Sequence, residues 1–176
     1  MRGIKPALTT REAKRVAEKE LEGFIFKDEK IVDAILHYVP LYVARCLALR
    51  YASVPFLSRK VEKRENLYLN ALNGNLLYYY KGKTYFSSLI EKDAFDIKDI
   101  DNITIEFTEI EHVIPPKLRH GDIITKVESM FGIAVESTDM LAYPIWEFVA
   151  VDRDVGLKRK IFVDAVTGNL VEGYPL

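Results

Sequence analysis

Glutamine is absent from this 176-residue chain, and cysteine occurs once. The single cysteine, Cys46, excludes an internal disulfide and any zinc site made of several cysteines. It lies in an apolar run, so we expect a small buried thiol rather than a nucleophile. The lack of glutamine, together with abundant lysine and glutamate, is a tendency of proteins from hyperthermophiles.

Long apolar runs are also missing. None reaches the ~20 residues that a membrane-spanning helix needs, and the N-terminus leads directly into a polar helix without a signal peptide. The sequence therefore predicts a cytoplasmic protein with no membrane partner. The formal charge of −1 gives no overall attraction to nucleic acid or acidic lipid, so such a partner would need a local basic patch.

The residue patterns of common enzymes are missing as well. There is no phosphate-binding G-x-x-x-x-G-K-[ST] loop, no G-x-S-x-G turn and no Cys/His arrangement for nucleophilic catalysis. The three histidines, His37, His112 and His120, form no close pair of the kind that binds metals. The sequence therefore predicts no catalytic residue, no metal and no cofactor, and a protein that is not an enzyme by itself.

What the chain does contain is a repeated segment. Residues 67–76 and 161–170 align without a gap and keep four identities: Ala71/Ala165, Gly74/Gly168, Asn75/Asn169 and Leu76/Leu170. An aromatic–proline strand precedes each copy, at 38–43 and 143–149, and a helical pattern precedes each strand. The first pattern predicts a helix over roughly residues 10–22, which begins at a capping box of Thr9 and Glu12. The sequence therefore predicts an internal duplication in which each unit is a helix, a long strand, a second strand and a short strand.

Each copy contains the residues of a structural turn. Asn70 and Asp164 end a strand, where a short polar side chain can accept backbone N–H groups, as in an Asx turn. Gly74 and Gly168 follow four residues later and permit the positive φ that closes a hairpin. The alternative for Asp164 is cation binding. Hard cations need several oxygen ligands, and the equivalent Asn70 is uncharged, so the structural turn is favoured.

These residues resemble the PepSY-like domain. The strand from Tyr143 to Phe148 with its proline, and the Val163-Asp164-x-x-Thr167-Gly168 turn, are similar to the family's pattern. The first copy has Asn70 in place of the aspartate and Asn73 in place of the threonine. The resemblance covers half to two-thirds of the chain. It implies cystatin-like α+β units that bind or inhibit, in a family attached to peptidases, transporters or membrane proteins.

The predicted fold is α+β, with two tandem helix-on-antiparallel-sheet repeats of the cystatin/PepSY-like type. The first repeat covers residues 1–86 and the second covers 120–176. A connecting segment, 87–119, contains a short helix near 87–92 and a strand near 103–110. The apolar stripe of each helix is expected to pack on the sheet of its own repeat. Because proline cannot donate to a central ladder, Pro40 is expected at an edge or a bulge.

A second resemblance concerns a larger assembly. Residues 6–13 and 38–42 are similar to regions appended to the C-terminal side of some archaeal ATP-dependent translocase proteins. Since this chain has no phosphate-binding loop, the resemblance implies an ATPase that lies elsewhere.

Two functions from different classes follow. The favoured one is a non-catalytic protein-interaction or regulatory module whose sheet edges pair with an extended segment of an unidentified protein partner. The rival is an accessory nucleic-acid-binding domain associated with an ATPase. It would use two basic segments that could lie on one rim: Arg59, Lys60, Lys63 and Arg64, and Lys158, Arg159 and Lys160. The plainer interpretation of these residues is that they keep strand edges soluble.

Overall fold

The computed structural model describes residues 1–22, 28–54, 57–88 and 105–176. Within these ranges, residues 48–54 and 57–65 are described by their backbone alone. The described residues form two helices and nine strands. In chain order these are β1 (Arg2–Ile4), α1 (Thr10–Glu22), β2 (Glu29–Val54), β3 (Leu57–Asn70), β4 (Leu76–Tyr80), β5 (Lys83–Ser87), β6 (Phe107–Glu109), α2 (His120–Phe131), β7 (Ala134–Asp152), β8 (Lys158–Asp164) and β9 (Leu170–Gly173).

Seven of the strands close into a barrel. Their order is β2-β3-β4-β5-β9-β8-β7, and β7 pairs again with β2. Neighbouring strands are antiparallel except β5 and β9, which run parallel. The short strands β1 and β6 pair with each other, and β1 attaches them to β7 outside the closed circuit.

The predicted α+β fold of two tandem helix-on-sheet repeats is therefore wrong, since the structure is mostly β and closes into one barrel. Strands β2 to β4 come from the first predicted repeat and β7 to β9 from the second. They form a single sheet because β2 and β7 pair from Glu29↔Asp152 to Leu47↔Ala134. Strand β5 has no counterpart in the second repeat, and it closes the barrel by lying between β4 and β9.

The two helices pack outside the barrel, and the buried side chains that surround each one lie mainly on strands of the other predicted repeat, although α1 also contacts β2 and α2 also contacts β7. Helix α1 buries Ala13, Ala17 and Leu21 in a cluster whose other fully buried members lie mainly on β7 and β8: Ile31, Phe148, Ala150, Ile161 and Val163. Helix α2 buries Ile123 and Val127 in a cluster on β2, β3 and β4: Tyr42, Ala44, Cys46, Leu67, Leu69, Ala71, Leu76 and Tyr78. The two helices are thus exchanged between the repeats.

The helix starts follow from local capping. Thr9 donates its backbone N–H to the Glu12 carboxylate at 2.9 Å, and the hydroxyl of Thr9 accepts the N–H of Glu12 at 3.4 Å. The bond from the Thr9 backbone lowers the pKa of Glu12 below its usual value. In α2 the carboxylate of Asp122 accepts the N–H of Arg119 at 2.8 Å. The predicted helix over residues 10–22 is confirmed.

At Pro40, β2 is paired with β7 through Ala142, and its pairing with β3 does not reach this residue, so the proline lies at the end of one ladder and not at a bulge; the bulges of β2 lie at 31–33 and 45–46. The pairing of β2 with β3 ends one residue later, at Leu41↔Asn70, where β3 turns away. The missing N–H of Pro40 therefore faces the end of the ladder, where its carbonyl still accepts from Ala71 at 2.8 Å. Pro144 has the same position beside β8, with Ala165 as donor.

Alternate side chains of the strands fill the barrel. Val39 and Leu41 of β2, Phe86 of β5, and Tyr143 and Ile145 of β7 belong to this core and are fully buried. The intervening residues of β7 face α1 instead. Cys46 is buried under α2. Most of the predicted helix near 87–92 lies outside the described residues, and the strand predicted near 103–110 is present as β6.

Candidate functional site

The two sequence-related turns have the same backbone geometry. Asn70 donates its N–H to Asn75 at 2.7 Å and accepts the N–H of Gly74 at 2.7 Å. Asp164 makes the equivalent bonds with Asn169 and Gly168, both at 2.9 Å. Gly74 has φ +74° and Gly168 has φ +77°, a conformation that costs a side-chain-bearing residue energy. The sequence similarity therefore corresponds to one repeated turn.

The side chains that begin these turns have opposite hydrogen-bonding roles. Asn70 donates from Nδ2 to the carbonyl of Pro175 at 2.8 Å and accepts the N–H of Leu72 at 2.9 Å. Asp164 only accepts, from the hydroxyls of Tyr143 at 2.9 Å and Thr84 at 2.8 Å and from backbone N–H groups. Both side chains are fully buried. The amide of Asn70 can both donate and accept, as its position requires, whereas the carboxylate of Asp164 can accept from all the donors around it.

Burial controls the titration of this acceptor network. Desolvation raises the pKa of Asp164 above its usual value, against the hydrogen bonds that favour the carboxylate. Burial also raises the pKa of Tyr143 well above its usual value, and the neighbouring Asp164 carboxylate adds to the shift. The Tyr143 hydroxyl lies 2.6 Å from that of Tyr79. Because protein donors surround Asp164, the network is suited to holding the barrel together rather than to binding a cation.

The histidines lie apart from one another. His37 contacts the Glu147 carboxylate at 3.0 Å, His120 contacts the hydroxyl of Thr138, and His112 is exposed. In the part of the chain that the structure describes, no three His, Cys, Asp or Glu side chains form a group that could hold a metal ion.

The basic residues of β8 are engaged in ion pairs. The guanidinium of Arg159 lies 2.8 Å from the Glu29 carboxylate, and Lys160 lies 2.8 Å from Glu147. Lys158 is exposed at the start of the strand. The basic residues of β3 are defined by their backbone pairing with β2: Arg59↔Ala52, Lys60↔Tyr51, Lys63↔Ala48 and Arg64↔Leu47.

The structure does not bring these two basic segments to one rim. Arg59 is level with Ala52 of β2, whereas Arg159 is level with Ala150 and hence with Ile31 of β2. At about 3.3 Å per residue, the two levels are roughly 70 Å apart along the strand. The two segments lie towards opposite ends of β2.

A two-stranded ribbon projects beyond the barrel. Strands β2 and β3 pair as far as Val54↔Leu57, whereas the pairing of β7 with β2 ends at Leu47↔Ala134. On its other side β3 pairs with β4 only at Leu69↔Leu76. Within the described ranges, residues 48–54 and 57–63 therefore pair only with each other, and residues 64–66 pair only with 45–47 of β2. We call residues 48–54 and 57–66 the ribbon.

The orientation of the backbone in β3 follows from the turn that ends it. The N–H of Asn70 points to Asn75, away from β2, whereas the N–H of Ala71 points to Pro40, towards β2. Since these directions alternate along a strand, the even-numbered residues from 58 to 66 direct their N–H and C=O groups away from β2. We call this side of the ribbon the open edge of β3. The sequence did not predict this edge, because residues 58–65 are mostly charged and show no alternation of apolar and polar residues.

The two ends of the barrel correspond to each other through the repeat. At one end Glu147, only 4% exposed, lies between His37 and Lys160. We call this the closed end. The other end is the one from which the ribbon projects. When the two repeats are aligned on Pro40 and Pro144, Val43 at this end is the counterpart of Glu147, since each lies three residues after its proline. A pocket of about 350 Å³ remains there, lined by Arg2, Val43, Arg45, Tyr68, Phe107, Asp139, Met140 and Leu141.

In comparisons with known proteins, no family model, curated protein or solved structure matches the chain. Membership of the PepSY-like family and the relation to translocase-associated regions therefore stay predictions. The α+β fold that the PepSY-like resemblance implied is wrong. Neither described helix has the length and apolar character required to cross a bilayer.

Proposed function

We propose that this protein is a non-catalytic, cytoplasmic interaction module that binds an extended segment of a partner protein on the open edge of β3. One observation carries the proposal: β3 continues for about ten residues beyond its pairing with β4, and there, among the residues that the structure describes, it pairs with β2 alone. An extended peptide can bind such an edge as an additional strand, with affinity from main-chain hydrogen bonds.

The rest of the molecule makes this edge distinctive. A closed barrel removes sheet edges, and exposed edges favour aggregation. Here the barrel closes between β2 and β7, yet the ribbon remains outside the closure. Segment 59–65 contains four basic and two acidic residues, Arg59, Lys60, Lys63 and Arg64 against Glu62 and Glu65. Its positive balance disfavours pairing with a second copy and favours a partner segment with acidic residues.

The test compares two substitutions at one position. Glu62 directs its N–H to the open edge, so Glu62→Pro removes an edge donor without removing a donor to β2. Glu62→Ala removes the same charge and keeps the donor. Twelve-residue peptides selected from a random displayed library are titrated against the wild type and both variants by fluorescence anisotropy. Because the two variants differ by one edge hydrogen bond, worth about 1 kcal/mol, we expect Glu62→Pro to bind the peptides about fivefold more weakly than Glu62→Ala.

Hydrogen exchange provides the control for that comparison. Bound peptide should slow exchange of the even-numbered amides of β3, and the amides facing β2 should exchange equally in the wild type and both variants. Equal affinities of Glu62→Pro and Glu62→Ala, or peptide protection located away from β3, would refute the proposal.

The nucleic-acid alternative is tested by the same titrations with single- and double-stranded DNA. The ion pairs of Arg159 and Lys160 weaken it, because one of its two basic segments is already neutralised. The ribbon alone could still place Arg59 and Lys60 against phosphates. DNA binding with a slope of about −0.9 per phosphate contact in log K against log salt, lost on reversing those two charges, would favour this alternative. Association with an ATPase remains a prediction of that alternative.

A further inference from the structure

The pocket at the ribbon end of the barrel combines an apolar wall with a polar rim. Val43, Tyr68 and Leu141, which pack in the barrel core, contribute the apolar wall on β2, β3 and β7. At the rim, the guanidinium of Arg45 lies 2.9 Å from the Asp139 carboxylate. The guanidinium of Arg2 lies 3.8 Å from the ring centre of Phe107, in a cation–π contact. With two arginines and one aspartate, the lining has a net positive charge.

The closed end carries an acidic side chain at the corresponding position of the repeat. There the buried Glu147 carboxylate lies between Lys160 and His37, at 2.8 and 3.0 Å. Alignment of the two repeats gives Val43, Asn66 and Leu141 as the counterparts of Glu147, Lys160 and His37. The ribbon end therefore lacks the glutamate that occupies the closed end, and the pocket has cationic side chains at its rim.

We propose that this pocket is a binding site for a small apolar carboxylic acid. The carboxylate pairs with Arg45, and the apolar body lies on Val43, Tyr68 and Leu141. Arginine is suited to this role because its planar guanidinium can hold a carboxylate by two parallel hydrogen bonds. The volume of about 350 Å³ lies at the lower end of the range for small-molecule sites, about 300–1,000 Å³.

The present contact of Arg45 supports the same chemistry. Arg45 already binds one carboxylate at this rim, and both Arg45 and Asp139 are about 60% exposed. Exposed ion pairs contribute little, about 0–1 kcal/mol, so a ligand can replace Asp139 at small cost. Asp139 is then a competitor for the ligand's position rather than part of the binding site. This inference does not depend on the open edge of β3.

The experiment titrates the protein with two matched pairs of probes, followed by amide chemical shifts and calorimetry. The first pair is 3-phenylpropionate and its neutral amide. The second is the peptide acetyl-Ala-Ala-Phe with a free or an amidated C-terminus. Acid-selective binding of the first pair indicates a free acid as ligand, and acid-selective binding of the second pair alone indicates a protein C-terminus. Because a charged hydrogen bond is worth about 1.5–3 kcal/mol, we expect the acid to bind about tenfold or more tightly than its amide.

Substitutions of Arg45 and Asp139 are expected to change the affinity for the acid in opposite directions. Arg45→Gln should abolish the preference for the acid over the amide. Asp139→Asn should tighten acid binding about threefold or more, because it removes the competing carboxylate while Arg45 remains. Arg153→Gln, which removes an exposed arginine paired with Asp28 at the far end of β7, is the matched control and should change nothing.

A third variant tests the comparison of the two ends. Val43→Glu introduces the glutamate of the closed end and should abolish binding of both acid and amide. A heat-denaturation midpoint shows whether this variant still folds, and if it does not, the Arg45 and Asp139 variants decide. The proposal is refuted if acid and amide bind alike, if Arg45→Gln keeps the preference, if Asp139→Asn weakens binding, or if no probe shows saturable binding up to about 10 mM.

Discussion

Replacing Asn70 with aspartate should give a protein whose stability depends steeply on pH. Asn70 is fully buried, and its Nδ2 donates to the carbonyl of Pro175 at 2.8 Å. An ionised carboxylate at this position has no proton for that bond, and it would place a buried negative charge against a carbonyl oxygen. A neutral carboxyl group can still donate. The folded variant is therefore expected to keep its carboxyl protonated, with a pKa raised far above that of the unfolded chain.

The magnitude follows from the difference between the two states. Holding the group neutral at pH 7, about three units above the ordinary Asp pKa of 3.9, costs about 4 kcal/mol, since each unit is worth about 1.4 kcal/mol. At pH 4 the cost is under about 1 kcal/mol, because the unfolded chain is then half protonated. The folded state binds more protons than the unfolded state, so the stability of the variant falls as the pH rises from 4.

The assay is urea unfolding of the wild type and the Asn70→Asp variant at several pH values between 4 and 7. The difference in unfolding free energy between them should grow by about 1.4 kcal/mol for each pH unit above 4. Asn70→Ala is the control, since it removes both side-chain hydrogen bonds of Asn70 and adds no titratable group. Its cost in unfolding free energy should not change with pH. A destabilisation of the aspartate variant that is constant across this range would refute the reasoning.

Two further predictions concern the barrel core and its closure. Because the pKa of Tyr143 is raised, the unfolded chain loses this proton above pH 10 before the folded protein does. Tyr143→Phe should therefore reduce the fall in stability above pH 10 by up to about 1.4 kcal/mol per unit, and an unchanged slope in alkaline urea unfolding would contradict this. Gly173→Ala should lower the melting temperature far more than Gly82→Ala. Both glycines have positive φ, but a Cβ at Gly173 would overlap the Phe86 carbonyl oxygen, whereas one at Gly82 has nothing within 4 Å. Equal shifts of the two would show that β5 and β9 can separate easily.

Local structure could be predicted from the sequence because local chemistry determines it. The capping of α1 by Thr9 and Glu12 follows from residues three positions apart. The positive φ of Gly74 and Gly168 also follows from neighbouring residues. In these cases the residues that cause the structure lie within one short segment.

The fold could not be predicted in the same way, because it depends on which surfaces meet. The stripe of Ala13, Ala17 and Leu21 shows that α1 is covered, but not that β7 and β8 cover it. The pairing of β2 with β7 joins residues about a hundred positions apart. The PepSY-like resemblance rests on the turns, which have the same local form in a barrel as in two separate units.

The candidate sites were harder to predict than the fold. The pocket depends on Arg2 and Phe107 reaching the barrel end through β1 and β6, which no pattern near Arg45 indicates. The ion pairs of Arg159 and Lys160 involve acids on β2 and β7. Their neutralisation could not be read from the basic residues themselves.

The exchange of the two helices also has a consequence for the order of events on the ribosome. Helix α1 is synthesised before all seven barrel strands, yet the residues that cover its apolar stripe extend to Ile161 and Val163 on β8. Until those residues leave the exit tunnel, Ala13, Ala17 and Leu21 lack most of their final neighbours. Helix α2, by contrast, can pack on β2, β3 and β4 as soon as it forms, because those strands are already complete. The helix made first is therefore expected to be the last to dock, and during synthesis its stripe is open to chaperones.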